Sequence, residues 1–133
     1  MRHITAGLLL AIGCACLHAQ TLNLHATIPF DFRAGEKLMP AGDYSVHYSN
    51  GVLLVQESGG KHTAAQLLTI GGARAREASN SLEFHRYGER YYLAAIAAAS
   101  LPDKIALPQT GSERAIARRS GLPEPVGIAL RKP

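Results

Sequence analysis

The dipeptide Asn50-Gly51, set between two runs of alternating apolar and polar residues, constrains the fold of this chain more than any other feature. A two-residue hairpin loop of this kind needs a positive φ at both central positions, which asparagine and glycine tolerate best. The loop sets Ser49 opposite Val52, Tyr48 opposite Leu53, His47 opposite Leu54 and Val46 opposite Val55. One face then carries Tyr44, Val46, Tyr48, Leu53 and Val55. The other carries Ser45, His47, Ser49, Val52, Leu54 and Gln56. A slip of one residue would turn the apolar set to the wrong side, so burial of the first face fixes the register. The chain is therefore read as antiparallel β.

The same alternation recurs on either side. Leu22, Leu24, Ala26 and Ile28 alternate with polar residues as in a half-buried first strand. Pro29 cannot donate a ladder hydrogen bond and marks an edge or a bend, after which Phe30 and Phe32 resume the apolar phase. Two turn signals follow, Ala34-Gly35-Glu36 and Pro40-Ala41-Gly42-Asp43, before the strand at Tyr44. A type I turn over Met39-Pro40-Ala41-Gly42 suits the fixed φ of proline at the second position. The segment from Ile28 to Tyr48 thus reads as strand, turn, strand.

Ser58-Gly59-Gly60-Lys61 is a loop, followed by a strand from about Thr63 to Ile70. Gly60-Lys61 fails as a phosphate-binding loop, because Val55 stands where the first glycine is needed and His62 where Ser or Thr would hold Mg²⁺. The polar run Gly71 to Asn80 is a long connection. A second hairpin spans Leu82 to Ala97 around Gly88-Glu89. Its two-residue loop pairs Tyr87 with Arg90, Arg86 with Tyr91 and Phe84 with Leu93, putting Leu82, Phe84, Tyr91, Leu93 and Ala95 on one face. Pro102 and Pro108 bracket an irregular segment. A short helix over 110–120 opens on a capping box, in which Thr110 caps backbone N–H groups and Glu113 reaches back. Arg118 and Arg119 suit its carboxyl end, and Gly121 terminates it. Its apolar face amounts to Ala115 and Ile116, so it must dock on the sheet or fray. The last strand is expected over 126–130. The whole is an all-β antiparallel sandwich or small barrel of about seven or eight strands with one short C-terminal helix.

Two segments carry a resemblance. Ile28-Pro29-Phe30-Asp31-Phe32, Gly35, and Leu38-Met39-Pro40-Ala41-Gly42-Asp43-Tyr44-Ser45-Val46 form the first; Phe84-His85-Arg86-Tyr87-Gly88-Glu89-Arg90-Tyr91-Tyr92-Leu93 form the second. They resemble a group of small exported bacterial proteins with a (V/I)PF-x-F…LPAG-x-Y-x-V segment after a signal peptide and a later FHRYG-(D/E)-RY hairpin. Met39 stands in place of the usual leucine, a change between apolar residues of similar volume. The resemblance implies a small β-rich exported domain and carries over no catalytic residue.

The amino terminus fits that expectation. Arg2 and His3 precede an apolar or small-residue run from Ile4 to Ala15, and Leu17-His18-Ala19 offers a small residue before Gln20. A signal peptide over 1–19 followed by a single domain over 20–133 is the expected organisation, with export to the periplasm or beyond. The apolar run is shorter than the ~20 residues a membrane-spanning helix needs, so no transmembrane segment is expected in the mature chain. Both cysteines, Cys14 and Cys16, fall in the signal, which would leave the mature chain without a disulfide. Ala11-Ile12-Gly13-Cys14 loosely resembles a lipoprotein processing site, so lipidation of Cys14 is the alternative. The formal charge of +4 is modest. Export and the lack of interleaved aromatic and basic residues argue against nucleic acid as a partner.

Chemistry is harder to find. The four histidines of the mature chain, His25, His47, His62 and His85, show no metal-ligand spacing, so no metal or other cofactor is expected. No Gly-x-Ser-x-Gly elbow is present, and no cysteine remains as a nucleophile. The most varied cluster is the polar face of the second hairpin, where Glu83, His85, Tyr87, Arg90 and Tyr92 align. Tyrosine and arginine dominate binding hot spots, which makes these five the candidate binding residues. The competing reading is a polar outer face with cross-strand pairs worth about 0.2–1 kcal/mol each. Two functional classes remain open. One is a non-catalytic exported module of the envelope or periplasm, binding a small ligand, an envelope polymer or a partner protein. The other is a hydrolase or metal-dependent enzyme whose site assembles only in three dimensions.

Overall fold

The computed structural model describes residues 22–59, 65–69, 80–98 and 104–132. The predicted signal, with Cys14 and Cys16, lies outside these residues, as does nearly all of the predicted connection before Asn80.

Among the described residues, ten strand segments form two sheets, accompanied by one helix. In chain order they are β1 (Leu22–Ile28), β2 (Phe32–Ala34), β3 (Lys37–Met39), β4 (Gly42–Ser49), β5 (Val52–Glu57), β6 (Ala65–Leu68), β7 (Ser81–Tyr87), β8 (Arg90–Ala97) and β9 (Ile105–Ala106), then α1 (Gly111–Ser120) and β10 (Glu124–Ala129). The first sheet has the order β1-β4-β5-β6. The second has the order β10-β7-β8-β2-β3, with β9 also pairing β8. The count exceeds the expected seven or eight because β2, β3 and β9 are only two or three residues long.

The segment around Pro29 and Pro40 does more than turn back on itself. Ile28 ends β1 in the first sheet and Phe32 opens β2 in the second. β2 and β3 form a hairpin, with Ala34 opposite Lys37 across Gly35-Glu36. The chain then returns through Pro40 to β4, which pairs back along β1 from Ile28↔Gly42 to Leu22↔Tyr48. Both corners carry a proline, where a ladder donor is dispensable. Asp31 secures this excursion by accepting the Ala41 N–H at 2.8 Å, and the Tyr44 hydroxyl donates to the Pro40 carbonyl. The two sheets meet again at one corner, where His25 and Arg131 exchange backbone hydrogen bonds of 2.7 and 2.9 Å.

The core lies between the sheets. It gathers Leu24, Ile28, Val46, Leu53 and Val55 from one and Phe32, Met39, Leu82, Phe84 and Ile96 from the other. An edge-to-face contact of Phe32 with Tyr44, at 5.3 Å, ties the sheets across the middle, and a second one with Phe84, at 5.4 Å, packs Phe32 against its own sheet. The Asn50-Gly51 hairpin has the register expected, from Ser49↔Val52 to Val46↔Val55, with φ of 50° and 77° at its turn.

Four expectations are corrected. The second hairpin keeps its register from Tyr87↔Arg90 to Phe84↔Leu93, then shifts so that Glu83 faces Ala95 and Leu82 faces Ile96. This β-bulge puts Ile96, where Ala95 was expected, into the core beside Leu82. Part of the irregular segment before Pro108 forms β9, which adds Ile105 and Ala106 to the edge of β8. The helix meets the sheet through Ile116 and Ala117, while Ala115 is exposed. The capping box is half formed: Thr110 Oγ1 accepts the Glu113 N–H at 3.1 Å, but the Glu113 carboxylate turns the other way.

Candidate functional site

β7 and β8 alternate, so one face of their hairpin belongs to the core and the other points away from the first sheet. Glu83, His85 and Tyr87 from β7, and Arg90 and Tyr92 from β8, share this outer face, as His85↔Tyr92 and Tyr87↔Arg90 pairing requires. Helix α1 lies against it. Tyr87 and Tyr92, with rings edge-to-face at 5.8 Å, form a second small core with Ile116. Tyr87 and Tyr92 are therefore buried, and the polar outer face is largely a helix-docking surface.

Glu113 is the centre of that docking. It is 4% exposed, the one buried charged residue among those described. Three donors converge on its Oε2: the Tyr87 hydroxyl at 2.9 Å, His85 Nδ1 at 2.8 Å and Gln109 Nε2 at 3.3 Å. An ionised carboxylate only accepts, so His85 Nδ1 carries a proton in this arrangement. Burial, the hydrogen bond to Glu113 and the Glu113 charge push the Tyr87 hydroxyl up to about 12. A second tie runs from Ser112 Oγ to Glu36 Oε2 at 2.6 Å, and this bond holds Glu36 below the usual carboxylate range. The helix is thus fastened to β7 and to the β2–β3 turn.

Among the described residues, two of the concavities are lined by this second sheet and its connections. One, of about 230 Å³, is lined by Glu83, His85, Ala94, Ala95, Lys104 and Leu107. The bulge alanines make room for it, and Glu83 and Lys104 pair at its rim. With Nδ1 bound to Glu113, Nε2 is the His85 nitrogen left for a ligand. The other, of about 240 Å³, is lined by Asp31, Arg33, Leu38, Glu89, Arg90 and Tyr91. It opens where β2 and β8, parallel neighbours, pair only through Arg33↔Tyr92.

Of the five sequence candidates, Glu83 and His85 line the first concavity and Arg90 the second, while Tyr87 and Tyr92 serve the helix contact. Sequence reading missed Glu113 and Gln109, whose roles depend on where the helix docks. It also missed Arg33 and Leu38, although a signal was present. Gly35-Glu36 repeats the Gly-Glu loop of Gly88-Glu89, each with φ of 63° at glycine, and places Arg33 opposite Leu38. Among the described residues no group of three or more His, Cys, Asp or Glu could hold a metal ion. No described helix is long and apolar enough to cross a membrane.

Comparison with protein-family models, with curated proteins and with solved structures returns no match.

Proposed function

We propose that this chain is a non-catalytic binding module that works outside the cytoplasm, in the envelope or periplasm. The observation that carries the reading is the fate of the most reactive-looking cluster. His85 and Tyr87 meet a buried carboxylate, as in many acid–base sites, but both are engaged in fastening α1 to the sheet. The hydrogen bond that orients His85 leads to Glu113 and not to a hydroxyl that it could activate. What this arrangement leaves accessible is surface, including concavities bordered by Arg33, Arg90, His85 and Lys104. The signal-like start, the expected absence of cysteine after Ala19 and the resemblance to small exported bacterial proteins support export.

Native mass spectrometry of the protein purified from its host tests both halves. The expected result is a chain beginning at Gln20 that carries a non-covalent companion lost on denaturation. A chain beginning at a lipidated Cys14 would overturn the cleavage site. A hydrolytic activity that disappears in a folded His85→Gln variant would overturn the non-catalytic reading.

A further inference from the structure

Three arginines lie near the turn of the β7–β8 hairpin, and they differ in what they do. Arg86 is committed: its Nε donates to the Gly88 carbonyl at 2.7 Å, its guanidinium lies 5.6 Å from the centre of the Tyr91 ring, and it approaches Glu124 at 3.8 Å. Arg33 and Arg90 are not. Arg33 makes one long hydrogen bond, 3.4 Å, to the Glu36 carbonyl, and Arg90 makes none among the described residues. Neither is ion-paired there, although Asp31 and Glu89 line the same groove. Asp31 is turned to the Ala41 N–H, and Glu89 sits exposed in the hairpin turn. Two guanidinium groups therefore border one groove with most of their donors unused.

Within this largely polar groove, Leu38 and Tyr91 supply apolar surface. Tyr91 is held in place by stacking on Phe30, with ring centres 3.8 Å apart. Leu38, projecting from β3, is 61% exposed and is one of two large apolar side chains so exposed among the described residues. A planar guanidinium matches a carboxylate through two parallel hydrogen bonds, a fit that a point charge such as lysine lacks. An apolar body next to that carboxylate would cover Leu38.

We propose that this groove binds a carboxylate carried on a short apolar body, with Arg33 and Arg90 taking the carboxylate and Leu38 and Tyr91 the apolar part. The inference rests on the reading of the chain as a binding module and names the ligand class of one of its concavities. A fatty acid and the terminal carboxylate of a peptide ending in an apolar residue share this chemistry.

The test is titration of the isotope-labelled full-length protein, followed by amide NMR, with hexanoate, its neutral isostere hexanamide, and N-acetyl-Ala-Leu. Saturable shifts confined to 31–38 and 89–92 are expected with hexanoate or the peptide. Hexanamide should bind about tenfold more weakly or worse, the loss that follows when hydrogen bonds to a charged group are removed. Whichever carboxylate binds more tightly identifies the source. Arg33→Gln and Arg90→Gln should each weaken binding about tenfold. Equal binding of hexanoate and hexanamide, shifts centred elsewhere, or no shifts with either carboxylate would overturn the proposal without recourse to any variant. A companion molecule from the host that still binds the folded double variant would overturn this site while leaving the binding-module reading intact.

Discussion

The two central hairpins both turn on a two-residue loop, yet they end differently. In β4–β5 the register runs unbroken from Ser49↔Val52 at the turn to Tyr44↔Glu57 at the far end. In β7–β8 it holds from Tyr87↔Arg90 to Phe84↔Leu93 and then slips at Ala94. The outer faces differ as well. That of β4–β5 carries part-exposed Ser45, His47 and Ser49, whereas that of β7–β8 is roofed by α1 around a buried carboxylate. Turn chemistry governs the residues nearest the turn; farther out, packing decides. A bulge disrupts the local ladder, but it puts Ile96 where Ala95 would have stood, and isoleucine buries several more carbons.

The comparison predicts that β7–β8 is sensitive on both faces and β4–β5 on one. Glu113→Ala should have the largest effect. It removes the acceptor for Tyr87, His85 and Gln109 and leaves a buried Tyr87 hydroxyl without its partner. Leaving such groups unsatisfied costs about 1–3 kcal/mol each, and part of His85 can turn to water, so about 3 kcal/mol is expected. Chemical denaturation measures it. A loss below 1 kcal/mol would mean that α1 contributes little to the sheet and that the two hairpins are alike after all.

On the inner face the hairpins should agree. Val55 is fully buried opposite Val46, and Val55→Ala deletes two methyl groups from a packed site. The transfer and cavity terms together give about 2 kcal/mol. The same denaturation series reads it, and a negligible change would contradict the buried register of β4–β5.

How much of this was legible before the structure depends on whether the cause was local. Asn50-Gly51, the alternation of β1, Thr110 as cap and Gly121 as stop are local signals, and each appears where expected. Phe32, three residues past Pro29, carries no mark of having changed sheets, because a proline looks the same at an edge and at a corner. Glu113 stands where a capping box places it, and only the docked position of α1 turns its carboxylate toward Tyr87 instead of back to Thr110. Glu83, His85, Tyr87, Arg90 and Tyr92 share one face of β7–β8 as their alternation requires, but its division into helix contact and open groove is a tertiary fact that no spacing encodes.

Each hairpin holds one tyrosine with a displaced hydroxyl, which allows a finer comparison. Burial first, with the Glu57 and Asp31 charges behind it, pushes Tyr44 up from 10.0 to about 12. Burial also leads for Tyr87, which reaches about 12, helped by Glu113. Below pH 10 both are protonated whether the chain is folded or not, so their contribution is complete. As pH rises from 10 toward 12 the unfolded chain loses these protons first, and stability must fall. Tyr87→Phe should cost about 1 kcal/mol at neutral pH, for one hydrogen bond lost, and should flatten the alkaline decline. Tyr44→Phe should flatten it too. Denaturation at pH 8, 10 and 11.5 separates the contributions of the two hairpins, and an unchanged slope in both variants would contradict the assignment.

The smallest effect tests the comparison where it is most exposed. His47 lies on the outer face of β4, between Asn23 of β1 and Leu54 of β5, and it is only partly covered. His85 occupies the equivalent side of the other hairpin and is bound to Glu113. If the outer face of β4–β5 is plain solvent-facing sheet, His47→Ala removes a ring that supports nothing, and the cost should stay below about 0.5 kcal/mol, as for other surface changes. The measurement is again chemical denaturation, beside Val55→Ala. A cost above that of Val55→Ala would mean that the first sheet, like the second, has an outer face under load. The distinction between the hairpins would then lie in what covers each, and no longer in whether it is covered.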